Sequence, residues 1–341
     1  MAKPPDVHAD DDVSVAVVLG RCDDMRAEVF IRGLVPTARG PLALVGTVSG
    51  PRCRRAITLP VAARLQDIPA PSGALSAAEA GQHGPAPAVA RVILTEPSFW
   101  TADLPNLYRL EARLRCDDRD IGRIDRLIGL RRLGVRGRSF WLDGRRWVPR
   151  CVACEPTASA VTAAADVSAS AYLMDPDEQL LEIADERGTA VIALLPAGAT
   201  LDHAVARMQR WSLHPAVMGV IMPLEATAAD VAALAAESRG LRSTLLLGAS
   251  VRGDLAPIAP PAGIDFLAVM MPAGHLPDGA WRAPPPVPVL AVRSAGERAP
   301  DIVARRSACD RLQADLAAWG LAGVAGEPGP RPWDWAGYAV T

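Results

Sequence analysis

The stretch that decides the fold is DPDEQLLEIADERGTAVIALLP, residues 175–196. Asp175 is predicted to be the N-cap of a helix, because Pro176 suits the first helical position and Glu178 completes a capping box. Gly188 fits the residue that follows the last turn. An unbroken apolar run, AVIALL, comes next and predicts a strand that is buried on both faces. A capped helix that leads into a fully buried strand indicates an α/β unit with a parallel sheet.

The same alternation runs through the second part of the chain. After residue 135, apolar strands such as AVMGVIMPLE and IDFLAVMMP alternate with amphipathic helices such as PDIVARRSACDRLQADLAAWG. About seven or eight such strands favour a closed β/α barrel over an open sheet. We predict this barrel over residues 136–341 in a reduced form. Its connections are short, so we expect helices to be missing, notably after strands one and six.

The first part of the chain has a different pattern. Between residues 13 and 135, short runs of strand-forming residues alternate with turn residues, which predicts an antiparallel immunoglobulin-like β-sandwich. Residues 67–90 are rich in Ala, Gly and Pro and predict a long loop inside this domain. We expect residues 1–12 to be a tail rather than a secretion signal, because they lack an apolar segment. The predicted fold class is therefore an immunoglobulin-like sandwich followed by a reduced (β/α)8 barrel.

Composition narrows the classes of function. The 341 residues carry a formal net charge of −2, which gives no global signature of nucleic-acid binding. The six cysteines are scattered, which favours free thiols over a disulfide framework. No apolar run approaches the roughly 18 residues that a membrane span needs. We expect a cytoplasmic protein without a cofactor and without a nucleic-acid partner, and membrane attachment through a protein partner stays an open alternative.

Three passages resemble family 2 glycoside hydrolases, the β-galactosidase and β-glucuronidase group. They are EPSFWTADLPNLYRLEARL (residues 96–114), IGLRRLGVRGRSFWLDGRRWVPRCV (residues 128–152) and the opening stretch, residues 175–196. In that family, the matching passages lie in the immunoglobulin-like domain, at its junction with the barrel, and in the second helix and third strand of the barrel. The sugar-binding jelly-roll domain that usually precedes them has no counterpart in this sequence.

The resemblance implies a retaining mechanism with an acid/base glutamate after barrel strand four and a nucleophile after strand seven. In HPAVMGVIMPLEA, residues 214–226, Glu225 falls on the acid/base position and Leu224 replaces the asparagine that precedes it in the family. In PVPVLAVRSAG, residues 286–296, Arg293 falls on the nucleophile, and a guanidinium cannot attack a sugar carbon. We therefore expect no catalytic residue. A vestigial Glu225 would cap the next helix or pair with an arginine such as Arg293.

Other residues are weaker candidates for a site. Cys151 and Cys154 form one CxxC, a weak signal for a metal or redox site without a second pair of ligands. Between residues 109 and 150, thirteen Arg stand against six Asp or Glu. This stretch is either a solvated sheet face or a docking surface for an acidic protein or an anionic membrane. The candidate partner-binding residues are Arg131, Arg132, Arg136, Arg138, Trp333 and Trp335.

The sequence therefore favours a non-catalytic, glycoside-hydrolase-like structural or interaction subunit of a larger protein assembly. One form of such an assembly is a membrane complex on which the chain docks. Contact surfaces would be the sandwich edges, the N-terminal tail and the long loop. The alternative is a carbohydrate-binding protein, or a weak retaining glycosidase that uses Glu225 with a displaced second carboxylate such as Glu297.

Overall fold

The structure is a computed structural model that describes residues 13–35, 38, 40–68, 87–117, 119–241, 244–296, 301–322 and 335–341. The predicted tail at 1–12, most of the predicted loop at 67–90, Glu297 and Trp333 lie outside the described residues. The chain divides into two compact units. The sandwich unit runs to Ser98 and resumes at Asn106–Leu130, whereas the barrel unit contains Phe99–Pro105 and Arg131–Thr341. The main division thus follows residue 130. The sequence analysis placed this boundary five residues later, after residue 135.

Eight strands build the described part of the sandwich unit. They are β1 (Ser14–Cys22), β2 (Arg26–Leu34), β3 (Leu42–Arg52), β4 (Val61–Arg64), β5 (Gln66–Asp67), β6 (Ala88–Thr95), β7 (Leu107–Cys116) and β8 (Arg119–Ile128). The strands form two four-stranded antiparallel sheets, in the orders β1-β2-β6-β5 and β4-β3-β7-β8. Side chains alternate between buried and more exposed along β2, β6 and β7. Because the buried sides of these strands are apolar, they form one core, and the predicted sandwich is confirmed.

The barrel unit contains a small sheet and a closed barrel. The small sheet consists of β9 (Leu133–Arg136), β10 (Ser139–Leu142) and β11 (Arg145–Trp147). The eight barrel strands are β12 (Arg150–Ala153), β13 (Ser170–Met174), β14 (Val191–Leu194), β15 (Val217–Met222), β16 (Leu246–Arg252), β17 (Phe266–Met271), β18 (Val289–Arg293) and β19 (Gly337–Val340). They are parallel and pair in chain order until β19 meets β12. The predicted β/α barrel is therefore confirmed.

The helices show where the barrel is reduced. They are α1 (Ala158–Asp166), α2 (Glu178–Arg187), α3 (Leu201–Ser212), α4 (Ala228–Glu237) and α5 (Ile302–Ala322). The expectation that strand one lacks a helix is wrong, because Thr157 caps α1 directly after β12. Residues 253–265 join β16 to β17 without a helix, and a 3-10 turn at Gly279–Arg282 is the only helical element between β17 and β18. The reduction thus lies in the fifth and sixth connections.

The ends of α2 correct one predicted cap and confirm another. Asp177, rather than Asp175, accepts a hydrogen bond from the backbone N–H of Leu180 at 2.8 Å. Asp175 has a φ of 44° and forms an ion pair with Arg207 at 2.9 Å, a tertiary contact that the local pattern cannot show. Gly188 ends the helix in the left-handed region, as predicted. A Cβ there would also lie 2.3 Å from the carbonyl oxygen of Ala102. Glycine is therefore required at position 188 both by the left-handed backbone and by this close approach.

Glycines allow an aromatic ring to fill one end of the barrel lumen. A Cβ at Gly248 would lie 2.4 Å from the ring of Phe266, and one at Gly219 would lie 3.3 Å from it. One ring can reach three neighbouring strands only from the concave side, so Phe266 is inside the barrel. Phe140 of β10 meets this ring edge-on, with 5.3 Å between the centroids. Because Phe266 begins β17, the two rings plug the amino end of the barrel.

Candidate functional site

Glu225 lies in the turn between β15 and α4, at the carboxyl end of the fourth barrel strand. Its side chain is exposed and makes no hydrogen bond or ion pair with any residue that the structure describes. The preceding Leu224 is exposed as well. Thr227 and Asp230 form the capping box of α4. The expectation that Glu225 caps this helix is therefore wrong.

Arg293 ends β18, and its guanidinium contacts the outer helix α5. The distance from Arg293 Nη2 to Asp315 Oδ2 is 2.6 Å, and the Arg293 side chain is only 14% exposed. The expected pair between Glu225 and Arg293 is therefore wrong. Because side chains alternate along a strand, Val292 faces the lumen and position 293 faces the helix layer. In this register, a carboxylate at position 293 would also point away from the lumen.

On the lumen side, the carboxyl ends of β13, β14 and β15 are apolar, whereas Ser250 and Arg252 face the same side at the end of β16. Met174, Leu194 and Ile221 lie in one row with Gly248 and Phe266, so they share the lumen side. A retaining glycosidase needs two carboxyl groups about 5 Å apart. The lumen-facing positions at the ends of the eight strands, all of them described, carry no acidic side chain. The strands therefore do not assemble such a pair.

Two carboxylates beside the strand ends are held by arginines. Asp175 pairs with Arg207 of α3 at 2.9 Å. Asp254 pairs with Arg252, and the hydrogen bond from Arg252 lowers the pKa of the Asp254 carboxyl. In a retaining reaction, the partner of an acid/base glutamate is a carboxylate that attacks the sugar carbon. Both of these carboxylates are engaged by arginines instead of standing free for such an attack.

Three thiols surround the first barrel strand. Cys309 Sγ donates to the carbonyl oxygen of Cys151 at 3.2 Å, and Cys154 Sγ lies 3.4 Å from that of Val152. Burial raises the pKa of Cys154 and of Cys309 to about 11, and raises that of Cys151 well above its ordinary value. Metal ligation and redox chemistry need thiolates. The described residues contain no group of three or more His, Cys, Asp or Glu that could hold a metal ion.

Arg131 is an internal brace, not a surface residue. It is 3% exposed. Its guanidinium donates to four backbone carbonyls, those of His214, Pro215, Val217 and Thr244. Burial lowers the pKa of Arg131, whereas the charge of Asp185 raises it, and the four acceptors favour the cation. The prediction that Arg131 binds a partner is therefore wrong.

Asp185 and His214 complete this buried polar network. Asp185 Oδ2 lies 2.7 Å from His214 Nδ1, and Oδ1 accepts from the backbone N–H of Ala216 at 2.8 Å. Burial raises the pKa of Asp185, and the hydrogen bond with His214 acts in the opposite direction. Trp100 Nε1 donates to the backbone oxygen of Asp185 at 2.9 Å. Since His214 and Ala216 directly precede β15, the network lies at the amino end of the barrel.

The remaining predicted partner-binding residues divide into three groups. Three arginines make contacts inside the barrel unit. Arg132 forms an ion pair with Asp143, and Arg136 stacks on the Trp141 ring at 4.5 Å. Arg138 donates a hydrogen bond to the carbonyl oxygen of Pro284 at 3.0 Å. Trp335 is buried, so the prediction that it binds a partner is wrong. Trp333 lies outside the described residues.

In the part of the chain that the structure describes, none of the helices combines the length and the apolarity needed to cross a bilayer.

Four of the six arginines of β7 and β8 form a ladder of ion pairs. The pairs are Arg109–Asp125 at 2.8 Å, Arg113–Asp120 at 3.2 Å, Arg115–Asp120 at 3.6 Å and Arg123–Asp125 at 3.4 Å. All of these side chains are substantially exposed. The pattern fits a solvated sheet face, the first of the two interpretations, because each of these arginines has an acidic neighbour.

The sequence analysis missed a set of exposed apolar side chains where the barrel strands end. We call these residues, which are 39–56% exposed, the mouth patch: Met174, Leu201, Leu224, Leu255 and Leu276. They belong to the connections that follow five consecutive strands, β13 to β17. Four of them, all but Leu201, have Pro within two residues, as in MDP, PLE and HLPDG. That signal is visible in the sequence, but only the closed barrel brings the five together.

Comparison with known proteins gives a likeness of fold. No family model and no curated protein matches the chain. A Bacteroides uniformis β-glucuronidase 2, covalently bound to cyclophellitol-6-carboxylate aziridine, is 15% identical with a TM-score of 0.60; the match covers 98% of this chain and 46% of that one. An FMN-binding β-glucuronidase from Facaelibacterium prausnitzii L2-6 is 16% identical with a TM-score of 0.62, covering 96% and 55%. A glycosyl hydrolase family 2 member from Bacteroides cellulosilyticus DSM 14838 is 15% identical with a TM-score of 0.62, covering 96% and 45%.

These values support one conclusion about identity. The chain spans about half the length of the solved structures that it matches. At such low sequence identity, the likeness concerns the fold and not the activity. The resemblance seen in the three sequence passages is confirmed at that level: the chain has the sandwich-and-barrel fold of family 2 glycoside hydrolases.

Proposed function

We propose that this chain is a non-catalytic, glycoside-hydrolase-like subunit that works through protein contacts in a larger assembly. One observation carries the proposal: the lumen-facing ends of the barrel strands bear no acidic side chain, while Arg293 is tied to Asp315 in the outer layer. Among the described strand ends, Glu225 therefore meets no second carboxyl group of the kind that a retaining reaction needs. The fold then supplies a rigid scaffold rather than a reaction centre.

A second candidate is a carbohydrate-binding protein or a weak retaining glycosidase. Glu225 favours it, because this carboxylate stands at the end of the fourth barrel strand, is exposed, and makes no bond to a described residue. The ends of barrel strands are where barrel enzymes place their catalytic groups. This candidate needs a second carboxylate from a part of the chain such as Glu297.

Hydrolysis of aryl glycosides separates the two candidates. We expect no turnover of an aryl β-glucuronide or β-galactoside beyond that of the Glu225→Gln variant. We also expect no covalent labelling by cyclophellitol-6-carboxylate aziridine, the compound that is bound to the Bacteroides uniformis enzyme. Turnover that disappears in Glu225→Gln, or stoichiometric labelling of an acidic residue, would favour the glycosidase.

The assembly role has its own test. The tagged full chain, purified in mild detergent from its own cells, is expected to elute with a second polypeptide in a fixed ratio. A detergent requirement for this co-elution would support a membrane-embedded partner and peripheral attachment on the cytoplasmic side. Elution at the mass of the chain alone, under the same conditions, would contradict the subunit role.

A further inference from the structure

We propose that the mouth patch is the docking surface for a segment of a partner protein whose apolar side chains are flanked by Lys or Arg. This inference rests on the proposed function, because it names the surface and the kind of partner that a subunit would use. It places the contact at the carboxyl end of the barrel.

Backbone hydrogen bonds hold the strand ends that carry the mouth patch side by side. The N–H of Asp175 donates to Leu194 at 3.0 Å, and that of Leu195 donates to Ile221 at 3.0 Å. Further round the barrel, the N–H of Gly253 donates to Met270 at 2.8 Å. With about 4.8 Å between neighbouring strands, five consecutive strand ends span about 20 Å. The connections that carry the five side chains are therefore neighbours around one end of the barrel.

The long connections keep the last two members of the patch together. Trp281 Nε1 donates to the carbonyl oxygen of Leu255 at 2.8 Å, and the N–H of Asp278 donates to Gly253 at 2.7 Å. These bonds join the turn after β16 to the connection after β17, which carries Leu276. Exposed apolar side chains that gather at one end of a molecule are typical of an interaction site.

The charges around the mouth patch select the chemistry of the occupant. Glu155, Asp202 and Glu225 stand in or beside the same connections, are exposed, and make no side-chain bond to a residue that the structure describes. In contrast, the nearby cations Arg207 and Arg252 are occupied by Asp175 and Asp254. Arg305 also stands at this end, where it donates to the carbonyl oxygen of Ala153 and has no carboxylate partner among the described residues. Three carboxylates against this one cation leave the rim negative.

A negative rim around an apolar centre favours a basic and apolar protein segment. Charge complementarity steers such a partner and rejects partners of the same sign. An anionic bilayer would be repelled by the rim, and so would a second copy of this chain that presents the same face. The partner segment is thus expected to place its apolar side chains on the mouth patch and its Lys or Arg beside Glu225.

Site-specific photo-cross-linking in the native cells tests this proposal. p-Benzoylphenylalanine is placed in the full chain at Leu224, at Leu255, or at the matched control Leu59, an exposed leucine of the sandwich unit. After irradiation, the cross-linked peptides are identified by mass spectrometry. We expect positions 224 and 255 to reach one segment of another protein that contains apolar residues next to Lys or Arg. We expect position 59 not to reach that segment.

Charge variants sharpen the result. Glu225→Lys is expected to lower the yield of the cross-link from position 255 about two- to fivefold, because a rim charge contributes modestly to binding. Glu225→Gln is expected to lower it less. An unchanged yield in Glu225→Lys would overturn the assignment of a basic partner segment.

The remaining outcomes separate this inference from the proposed function. Cross-links from positions 224 and 255 to an acidic segment, to lipid, or to another copy of the chain would overturn the mouth patch proposal. Cross-links to a partner from position 59 alone would also overturn it, but would leave the subunit role standing. Protein cross-links from none of the three positions would count against both.

Discussion

The two ends of the barrel differ in how their side chains are used. At the amino end, the Phe140 and Phe266 rings fill the lumen, and Arg131 bonds to four carbonyls beside the buried pair Asp185 and His214. At the carboxyl end, apolar side chains face solvent, and the described strand ends bring no pair of acids together. In barrels, the amino end usually serves stability and the carboxyl end serves function. In the function that we propose, this chain keeps the first and lacks the chemistry of the second.

This difference indicates where the molecule tolerates change. A buried network is sensitive because each lost partner leaves another polar group without a bond. Exposed side chains at strand ends lack such partners, so they can change without loss of the fold. Substitutions at the two ends should therefore separate stability from binding.

The largest expected effect is that of Arg131→Ala at the amino end. The variant leaves four buried carbonyls without their donor and removes the cation beside Asp185. We expect the free energy of unfolding to fall by about 3–5 kcal/mol in urea denaturation. The matched control is Arg136→Ala, an exposed residue of the same segment, which should change little. Equal losses in the two variants would refute the internal brace.

The next effect concerns Cys154 at the carboxyl end of β12. Because its pKa is raised to about 11, only about 0.1% of this thiol is ionised at pH 8, against about 10% at its ordinary value. Alkylation by iodoacetamide, followed by peptide mass spectrometry, should be about 100-fold slower in the folded protein than in urea. The folded-state rate should rise about tenfold per pH unit towards pH 11. Similar rates in both states would reopen the metal or redox interpretation of Cys151 and Cys154.

A smaller effect is expected for Arg293→Ala. This substitution removes a partly buried ion pair with Asp315 and should lower the free energy of unfolding by about 1 kcal/mol. Arg252→Ala removes the fully exposed pair with Asp254 and is expected to leave stability unchanged within error. If Arg293→Ala instead left stability unchanged, Arg293 would be free for a role at the mouth.

The smallest effect on stability is expected for Leu224→Ser in the mouth patch. The residue is 44% exposed, so thermal denaturation should shift by an amount that corresponds to less than about 0.5 kcal/mol. The same variant should weaken binding of the partner, since apolar residues at the centre of an interface carry much of its energy. A large loss of stability would mean that Leu224 belongs to the core and not to a surface.

The sequence pattern was sufficient to predict the fold class of both units. Unbroken apolar strands such as β15 are readable as buried parallel strands, and the Thr227 capping box lies within one helical turn. The N-cap of α2 was not readable, because Asp175 and Asp177 are equally suitable locally. Only the tertiary pair with Arg207 assigns Asp175 to another role.

The candidate site was harder to predict for the same physical reason. Arginine is usually exposed, so nothing local separates the buried Arg131 from its exposed neighbour Arg136. Likewise, the family resemblance that matched Arg293 to the nucleophile position could not show on which face of β18 this side chain lies. The mouth patch depends on five connections that only the closed barrel brings together.

The brace formed by Arg131 has a consequence for the order of assembly. Its acceptors lie 83 to 113 positions later in the chain, at His214 and Thr244. A chain emerging from the ribosome therefore cannot form these hydrogen bonds until the first half of the barrel has been synthesised. Closing so long a loop is also slow. Pulse-labelling hydrogen exchange during refolding should find the amides around residue 131 protected after those of β14 and β15.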